Sequence, residues 1–230
     1  MTQLTGKERA TYVQNMFTKI AKRYDLMNRL MTGGQDIRWR KQVIELARLS
    51  RESYLLDIGT GTGDLAREAL AQFPEAKVIA ADFTLEMMRV GQENGSINFS
   101  SADALRLPFD GSSFDAVVSG FLMRNVIDLQ KALQEQYRVL KSSGRIVILD
   151  TTRPKKNIFS PLIWLHMHAI IPMLGALLTG SREAYGYLPE STEKFVTAEE
   201  LASRMASAGF KKLNYQRLMF GTIAIHWGEK

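Results

Sequence analysis

The chain has 230 residues, of which 45% are hydrophobic and 23% are charged. This length fits one α/β domain with additions better than two full domains, and the composition excludes an intrinsically disordered chain. There is no cysteine, so disulfides, thiolate metal sites and cysteine nucleophiles are all excluded. The net charge of +6 is spread along the chain, which favours solubility and leaves attraction to an anionic membrane surface open.

The first fifty residues predict helices. Residues 8–31 carry apolar side chains at steps of one, three and four, which is typical of an amphipathic helix, and the pattern predicts a break near Tyr24–Asn28. A second helix is predicted over residues 38–49. We therefore expect residues 1–50 to form a helical cap on one domain that spans the chain. The polar start has no apolar stretch and predicts no signal peptide.

After this cap the pattern changes to short strands that alternate with helices. The strands are predicted at Tyr54–Ile58, Lys77–Ala81, Ile97–Ser100, Phe114–Ser119, Arg145–Leu149, Leu213–Leu218 and Thr222–Trp227. The helices are predicted at Asp64–Phe73, Thr84–Glu93, Leu129–Leu140 and Thr197–Ala208. This order predicts a doubly wound, mostly parallel seven-stranded sheet that ends in an antiparallel hairpin. Such an α/β domain is the architecture of class I methyltransferases.

Residues 158–178 form an apolar segment without Asp, Glu, Lys or Arg. Its length approaches the roughly 20 residues that cross a bilayer. Two prolines, two histidines and a position between two parts of an α/β domain argue against a membrane span. We predict a buried or lid helix beside an apolar pocket, within a lid insertion over residues 155–195.

A glycine-rich loop, DIGTGTGDL at residues 57–65, follows the first predicted strand and opens a helix. Glycines there let the backbone turn sharply and approach a ligand. Asp82 ends the second strand, where its carboxylate can accept two hydrogen bonds from a ribose diol. Dinucleotide-binding domains share these features but need a small residue at the place of Asp64. Because Asp57 and Asp64 suit a sulfonium and an ammonium better than a pyrophosphate, we predict S-adenosyl-L-methionine as the cofactor.

Asp103 follows the third strand, where its side chain can reach an adenine amino group. The alternative is that Asp103 caps a turn or helix. No group of His, Asp and Glu residues has convincing metal-ligand spacing, so no metal site is predicted.

Beyond these motifs, the sequence resembles the ubiquinone/menaquinone biosynthesis C-methyltransferase family over nearly its whole length. The segments that carry the resemblance are Tyr24–Asn28, Leu30-Met31, Trp39-Arg40, Gly59–Leu65, Leu107–Phe109, Arg124–Val126, Tyr137–Lys141 and Ala224–His226. The family transfers a methyl group to a ring carbon of a polyprenylated quinol. The resemblance therefore implies C-methylation of such a quinol, with demethylmenaquinol as the leading substrate.

The resemblance also implies cofactor contacts at Thr62, Asp82, Asp103 and Ala104. The family's next contact is a serine at the position of Gly120, and Ser119 is its neighbour. With the loop residues added, the full set of predicted cofactor contacts is Asp57, Gly59, Thr60, Gly61, Thr62, Asp82, Phe83, Asp103, Ala104, Ser119 and Gly120. The segment Asp150–Pro154 also departs from the family pattern, which puts the exact substrate in doubt.

Three residues are predicted to act on the substrate. Arg124 is the leading candidate to hold a quinol oxygen and favour its phenolate form, because a permanent cation is a poor base. Tyr24 and Asp25 are predicted to orient the ring or relay a proton, with a structural corner as the alternative. His166 and His168 titrate in the useful range, although a histidine in an apolar stretch is more often structural.

These features predict a cytoplasmic enzyme that collects a lipid quinol by peripheral association with the inner face of the membrane. A homodimer stays open, and nucleic acid is not expected as a partner because only the net charge supports it. Two alternatives remain. The first is a methyltransferase of the same frame that acts on a small molecule or natural product. The second is a catalytically inactive cofactor-binding partner in a quinone-synthesis complex.

Overall fold

A computed structural model describes residues 5–154, 158, 160–173, 175 and 182–230. Its first elements are α1 (Gly6–Ile20), a 3₁₀ turn (Ala21–Arg23), α2 (Tyr24–Met31) and α3 (Gln35–Ala47). The predicted break lies at Ala21–Arg23, directly before Tyr24–Asn28, because the chain leaves helical geometry at Arg23, with φ −117° and ψ 1°. Tyr24 begins α2, and Asp25 lies in its first turn, where the helix dipole favours a carboxylate.

A seven-stranded sheet forms the centre of the protein. Its strands are β1 (Tyr54–Ile58), β2 (Lys77–Asp82), β3 (Asn98–Ser101), β4 (Phe114–Gly120), β5 (Leu140–Thr151), β6 (Lys211–Leu218) and β7 (Ile223–Glu229). The strand order is β3-β2-β1-β4-β5-β7-β6, and β7 is antiparallel to both of its neighbours. The predicted sheet and terminal hairpin are confirmed. β5 begins at Leu140 and not at Arg145, because Leu140 pairs with Phe114 ahead of a register shift.

The other helical elements cover the sheet or follow it. They are α4 (Asp64–Gln72), α5 (Leu85–Glu93), α6 (Leu129–Val139), α7 (Ser160–Leu165), a π-helical turn (His166–Ile170), α8 (Arg182–Lys194), α9 (Ala198–Ser207) and a 3₁₀ turn (Met219–Gly221). Two large buried clusters lie on the two faces of the sheet. Side chains of α3 and α4 contribute to one cluster, and side chains of α6 and α9 contribute to the other.

A third, smaller cluster joins the N-terminal helices to the apolar segment. Met16 and Ile20 of α1 and Met27 and Met31 of α2 pack there with Ile171. Parts of the predicted lid insertion, residues 155–157, 159, 174 and 176–181, lie outside the described residues. In the helices that are described, none has the length and apolar character needed to span a bilayer.

Gly91 of α5 lies directly against the glycine-rich loop. A Cβ at this position would be 2.4 Å from the carbonyl oxygen of Thr62 and 2.6 Å from the ring of Phe99. We expect Gly91→Ala to lower the free energy of unfolding by roughly 1–3 kcal/mol because backbone must move. Gly186 of α8 has open space at the same place, so Gly186→Ala should stabilise by about 0.5–1 kcal/mol. Urea unfolding compares the two, and equal losses would contradict this account.

Candidate active site

A cavity of about 150 Å³ lies where β1, β2 and β4 end. We call it the cofactor cavity. Its walls come from the glycine-rich loop, the turn after β2, the segment after β3 and the turn after β4, and the residues include Gly59, Gly61, Asp82, Phe83, Thr84, Ala102, Asp103, Ala104, Leu105, Gly120, Phe121 and Leu122. Helix α1 closes the cavity with Val13, Gln14 and Phe17. The amide nitrogen of the Gln14 side chain donates to the carbonyl oxygen of Phe83 at 3.0 Å, which holds the helix across the opening.

Glycine is required in the loop for a conformational reason. Gly59, Gly61 and Gly63 have φ angles of 65°, 59° and 93°, in the left-handed region that other residues rarely adopt. A Cβ on Gly59 would also lie 2.8 Å from the side chain of Leu122. The loop therefore brings bare backbone to the cavity wall.

Asp82 ties the end of β2 to this loop. Its Oδ2 accepts a hydrogen bond from the backbone of Gly61 at 2.8 Å, and its Oδ1 accepts one from the backbone of Thr84 at 2.7 Å. Burial raises the pKa of Asp82 above its usual value. Each carboxylate oxygen keeps a further lone pair for a ligand hydroxyl in the cavity.

A small polar recess continues from the cofactor cavity on the far side of the loop. It is lined by charged groups of both signs, including Asp25, Asp57, Asp64 and Arg40. Nη1 of Arg40 lies 2.7 Å from Asp36 and 2.6 Å from Asp64, and the hydroxyl of Thr62 donates to Asp25 at 2.7 Å. This recess can hold a zwitterion, with an ammonium near the acids and a carboxylate near Arg40.

The acids of the recess are held where ionisation is costly. Asp57 is fully buried, and burial raises its pKa to about 7, although its Oδ2 accepts a hydrogen bond from the Thr60 hydroxyl at 2.5 Å. Its Oδ1 is buried and lacks a hydrogen bond of normal geometry. Burial, followed by the charge of Asp64, also raises the pKa of Asp25. A cation in the recess would favour the charged carboxylates.

A second cavity, of about 320 Å³, is almost wholly apolar, and we call it the apolar cavity. It lies between α2, the apolar segment, α8 and the turn before β7, and its apolar lining includes Met31, Leu162, Ile163, Met167, Ile170, Ile171, Leu188, Met219 and Ile223. The buried polar atoms on its walls that lack a hydrogen-bond partner among the described residues include Arg124 Nε, Thr151 Oγ1, His166 Nε2 and Thr192 Oγ1. Because unpaired buried polar groups are costly, they mark where a ligand with polar atoms would bind.

Arg124 is the charged group of this cavity, and it forms a buried ion pair. Its Nη1 donates to Asp150 at 2.7 Å and to the carbonyl oxygen of Phe121 at 3.0 Å. The backbone nitrogen of Arg124 donates to the other oxygen of Asp150 at 3.2 Å. Asp150 thus neutralises the charge of the guanidinium. The Nε atom, which has no hydrogen-bond partner among the described residues, remains as a donor.

Phe121 stands where the cavities meet. Of the described residues, it alone lines the cofactor cavity, the polar recess and the apolar cavity. Its φ of 58° is in the left-handed region, which costs a residue with a side chain about 1–3 kcal/mol. Its backbone is held in place by a 2.7 Å hydrogen bond to Leu149 and by bonds from Arg124 and Asn125 to its carbonyl oxygen.

The structure brings most of the predicted cofactor residues together. Gly59, Gly61, Asp82, Phe83, Asp103, Ala104 and Gly120 line the cofactor cavity, and Asp57, Thr60 and Thr62 line the recess. Ser119 lines neither, because its side chain is fully buried within β4. Asp103 also accepts a hydrogen bond from the backbone of Leu105 at 2.9 Å, so the turn role weighed for it is present as well.

The predicted catalytic residues are divided between the two sides. Tyr24 lines the cofactor cavity and the recess, and burial raises its pKa. Asp25 lines the recess, whereas Arg124 lines the apolar cavity.

Sequence reasoning did not identify Asp150, Arg40 or Phe121 as site residues. Asp150 had a detectable signal, since it lies near the carboxyl end of a buried strand, as Asp57 and Asp82 do. Arg40 lies in a segment that carries the family resemblance, and Phe121 follows Gly120, where the sequence departs from the family pattern. No local pattern assigns the contacts of either residue.

The fold is shared with S-adenosylmethionine-dependent methyltransferases. Solved structures of similar fold include the [4+2]-cyclase SpnF, with a TM-score of 0.70, 16% identity, and coverage of 98% of this chain and 96% of that one. Another is a possible histamine N-methyltransferase from Thermotoga maritima, with a TM-score of 0.65, 18% identity, and coverage of 94% and 99%. At these identities the likeness concerns the fold.

The sequence comparisons are more specific. The ubiE/COQ5 methyltransferase family matches residues 4–230, and the chain belongs to that family. It is 44% identical to the ubiquinone/menaquinone biosynthesis C-methyltransferase UbiE of Desulfotalea psychrophila, over 95% of this chain and 90% of the relative. It is 43% identical to the demethylmenaquinone methyltransferase of Thermus thermophilus, over 94% of this chain and all of the relative.

The raised pKa of Asp57 predicts a pH dependence of stability. Between about pH 4 and pH 7 the folded state keeps a proton that the unfolded carboxyl releases, so this group's contribution to stability falls as the pH rises. We expect the free energy of unfolding of Asp57→Asn to fall less than that of the wild type between these values, in urea titrations. Asp115→Asn is the control, because the pKa of Asp115 is lowered and lies below the window. Parallel wild-type and Asp57→Asn curves would contradict the assignment.

Proposed function

We propose that this protein methylates a ring carbon of a polyprenylated hydroquinone, with demethylmenaquinol as the first candidate. The observation that carries the proposal is the junction at Phe121. There, a cavity whose Asp82 and Asp103 suit a ribose-containing donor meets an apolar cavity whose walls hold unpaired polar atoms. A hydroquinone with a hydrocarbon tail combines the two properties that the apolar cavity requires. The names of the relatives in the family support the same substrate class.

The residues of the cofactor cavity and recess fit S-adenosyl-L-methionine. The unpaired Asp57 Oδ1 and the acids beside it suit the ammonium and the sulfonium, and Arg40 suits the carboxylate. Asp82 is placed to accept the ribose hydroxyls, and Asp103 to accept from the adenine amino group. When bound, this cofactor supplies a methyl group on a positively charged sulfur. The protein then has mainly to align donor and acceptor, which can contribute roughly 7–11 kcal/mol.

On the acceptor side, Arg124 is placed to hold a quinol oxygen. Its Nε is buried and unpaired, while Asp150 and the carbonyl oxygen of Phe121 keep the guanidinium in one orientation. A hydrogen bond from this donor stabilises a phenolate more than a neutral hydroxyl, and a phenolate makes the ring carbon more nucleophilic. The apolar walls would exclude water from the ring and take the first part of the tail.

The substrate assignment is tested by a direct assay. Purified protein is incubated with S-adenosyl-L-methionine carrying a labelled methyl group and with demethylmenaquinol under reducing conditions, and the lipid is analysed by mass spectrometry. We expect one labelled methyl group on the ring. Cofactor binding without transfer to any lipid quinol would contradict the proposal. Transfer only to tail-free phenols would indicate a small-molecule methyltransferase instead.

We also propose that the enzyme collects its substrate at an anionic bilayer surface. The outer side of the apolar segment exposes Trp164 at 59%, Leu165 at 47% and Met173 at 57%, and its inner side lines the apolar cavity. In the sequence, Lys155 and Lys156 precede this segment and Arg182 follows it. Exposed apolar residues flanked by basic ones are typical of segments that lie in a membrane interface.

Vesicle binding tests the bilayer proposal. Replacing Trp164 and Leu165 together by serine should weaken sedimentation with phosphatidylglycerol-containing vesicles roughly tenfold, because less apolar surface enters the interface. Tyr54→Ser is the control, since Tyr54 is exposed at the start of β1. This is the edge of the sheet opposite to the cavities. Equal binding by both variants would overturn the proposal.

A further inference from the structure

Among the described residues that line the apolar cavity, His166 is the one side chain whose ring nitrogens can accept a proton. We infer that Nε2 of His166 accepts the hydroxyl proton of the bound hydroquinone, which makes His166 a catalytic residue. The inference rests on the proposed function, because it assigns the base for that same reaction. Arg124 is the other ionisable side chain on the cavity wall, and it is a permanent cation.

The geometry around the two histidines of the segment separates their roles. His166 lines the apolar cavity, and its Nε2 is buried without a hydrogen-bond partner among the described residues. In His168 both ring nitrogens are engaged: Nδ1 lies 3.1 Å from the carbonyl oxygen of Trp164, and Nε2 lies 3.1 Å from Glu193. The His168 ring also stacks on Trp164, with centroids 4.9 Å apart. His168 is a structural residue of the lid surface, whereas His166 lines the cavity and its Nε2 has no hydrogen-bond partner among the described residues.

The backbone conformation at His166 supports a role for this residue in function. His166 begins a π-helical turn between α7 and residues 171–173. Such turns are rare and occur often at functional sites, because the wider turn redirects side chains from the regular helical positions. Here the turn directs Met167 and His166 toward the cavity side of a segment whose opposite side is exposed.

The other candidate bases already have a hydrogen-bond or ion-pair partner, or they lie away from the apolar cavity. Arg124 is paired with Asp150 and stays protonated. Asp25 lines the polar recess, where it accepts from Thr62. Tyr24 also faces the cofactor side, and burial raises its pKa, so it is a poor proton acceptor near neutral pH.

The charges that face His166 across the cavity are few. Helix α2 contributes Asn28, Met31 and Thr32 to the wall, α8 contributes Leu188 and Thr192, and none of these is charged. The turn before β7 contributes no charged residue, and the segment after β4 contributes Arg124. No carboxylate lines the described part of the wall, so no acidic side chain faces His166 across the cavity there.

The proton transfer is simple. The O–H bond of the hydroquinone breaks, an N–H bond forms at Nε2 of His166, and the electron pair stays on the oxygen. The product is a hydroquinone monoanion, whose charge is met by the donors of Arg124. After turnover the imidazolium returns its proton to solvent. No oxidant or reductant is needed.

The first test compares His166→Gln with His168→Gln. We expect His166→Gln to lower kcat for demethylmenaquinol by about 100-fold or more, with the Kd for S-adenosyl-L-methionine unchanged within a factor of three. In the wild type, log kcat should fall with unit slope at acidic pH, and His166→Gln should lose this limb. His168→Gln should keep both the rate and the profile. A His166→Gln enzyme with near-wild-type kcat, or with an unchanged acidic limb, would overturn the inference.

Two further measurements keep the inference testable without depending on one variant or on methyl transfer. Added imidazole should restore part of the activity of His166→Ala. The absence of rescue in a folded, cofactor-binding variant would count against His166 as the base. Binding of 1-naphthol, followed by its absorbance, should give more naphtholate on the wild type than on His166→Gln at the same pH. If the wild type methylates no quinol but still ionises 1-naphthol through His166, the proposed substrate is wrong and the proton acceptor stands. Equal naphtholate on both proteins would contradict the inference.

Discussion

The buried ion pair between Arg124 and Asp150 holds the two halves of the site together. Asp150 comes from β5, and the guanidinium also donates to Phe121 in the turn after β4. The carbonyl oxygen of Arg124 in turn accepts a 2.9 Å hydrogen bond from Arg9 of α1. One residue therefore connects two strands of the sheet to the helix that closes the cofactor cavity. Loss of either charge would leave the other buried and unpaired, which typically costs 3–5 kcal/mol.

The division between polar and apolar surfaces follows from this arrangement. On one side of Phe121, acids with raised pKa values and Arg40 face the glycine-rich loop, so that side favours a ligand with charges of both signs. On the other side, methionine, leucine and isoleucine side chains surround a few unpaired polar atoms. Of the described residues, Phe121 alone lines both sides, so we propose that a charged methyl donor and an apolar acceptor approach each other there.

Much of the fold follows from local patterns, and the parts that do not follow depend on tertiary contacts. The alternation of strands and helices predicts the sheet because each parallel strand needs a crossover helix. The break in the N-terminal helices lies at Ala21–Arg23, directly before the predicted residues, because Arg23 leaves helical geometry there.

The candidate site shows the same contrast. The glycine-rich loop and Asp82 are readable because their backbone conformation and position after a strand recur in nucleotide-binding domains. Position along β4 does not separate Ser119 from Gly120, but strand alternation turns the Ser119 side chain into the core and leaves Gly120 at the cavity. The pairing of Arg124 with Asp150 and the engagement of His168 by Glu193 join residues far apart in the chain, so no sequence window contains them.

We expect the methyl donor and the quinol to meet at Phe121. A crystal structure with S-adenosyl-L-homocysteine and a short-tailed demethylmenaquinol analogue tests this claim most directly. We expect the homocysteine end in the polar recess, the quinol ring in the apolar cavity with one oxygen on Arg124, and the sulfur and the ring both in contact with Phe121. A quinol ring bound outside the apolar cavity, or separated from the sulfur by protein atoms, would contradict the account.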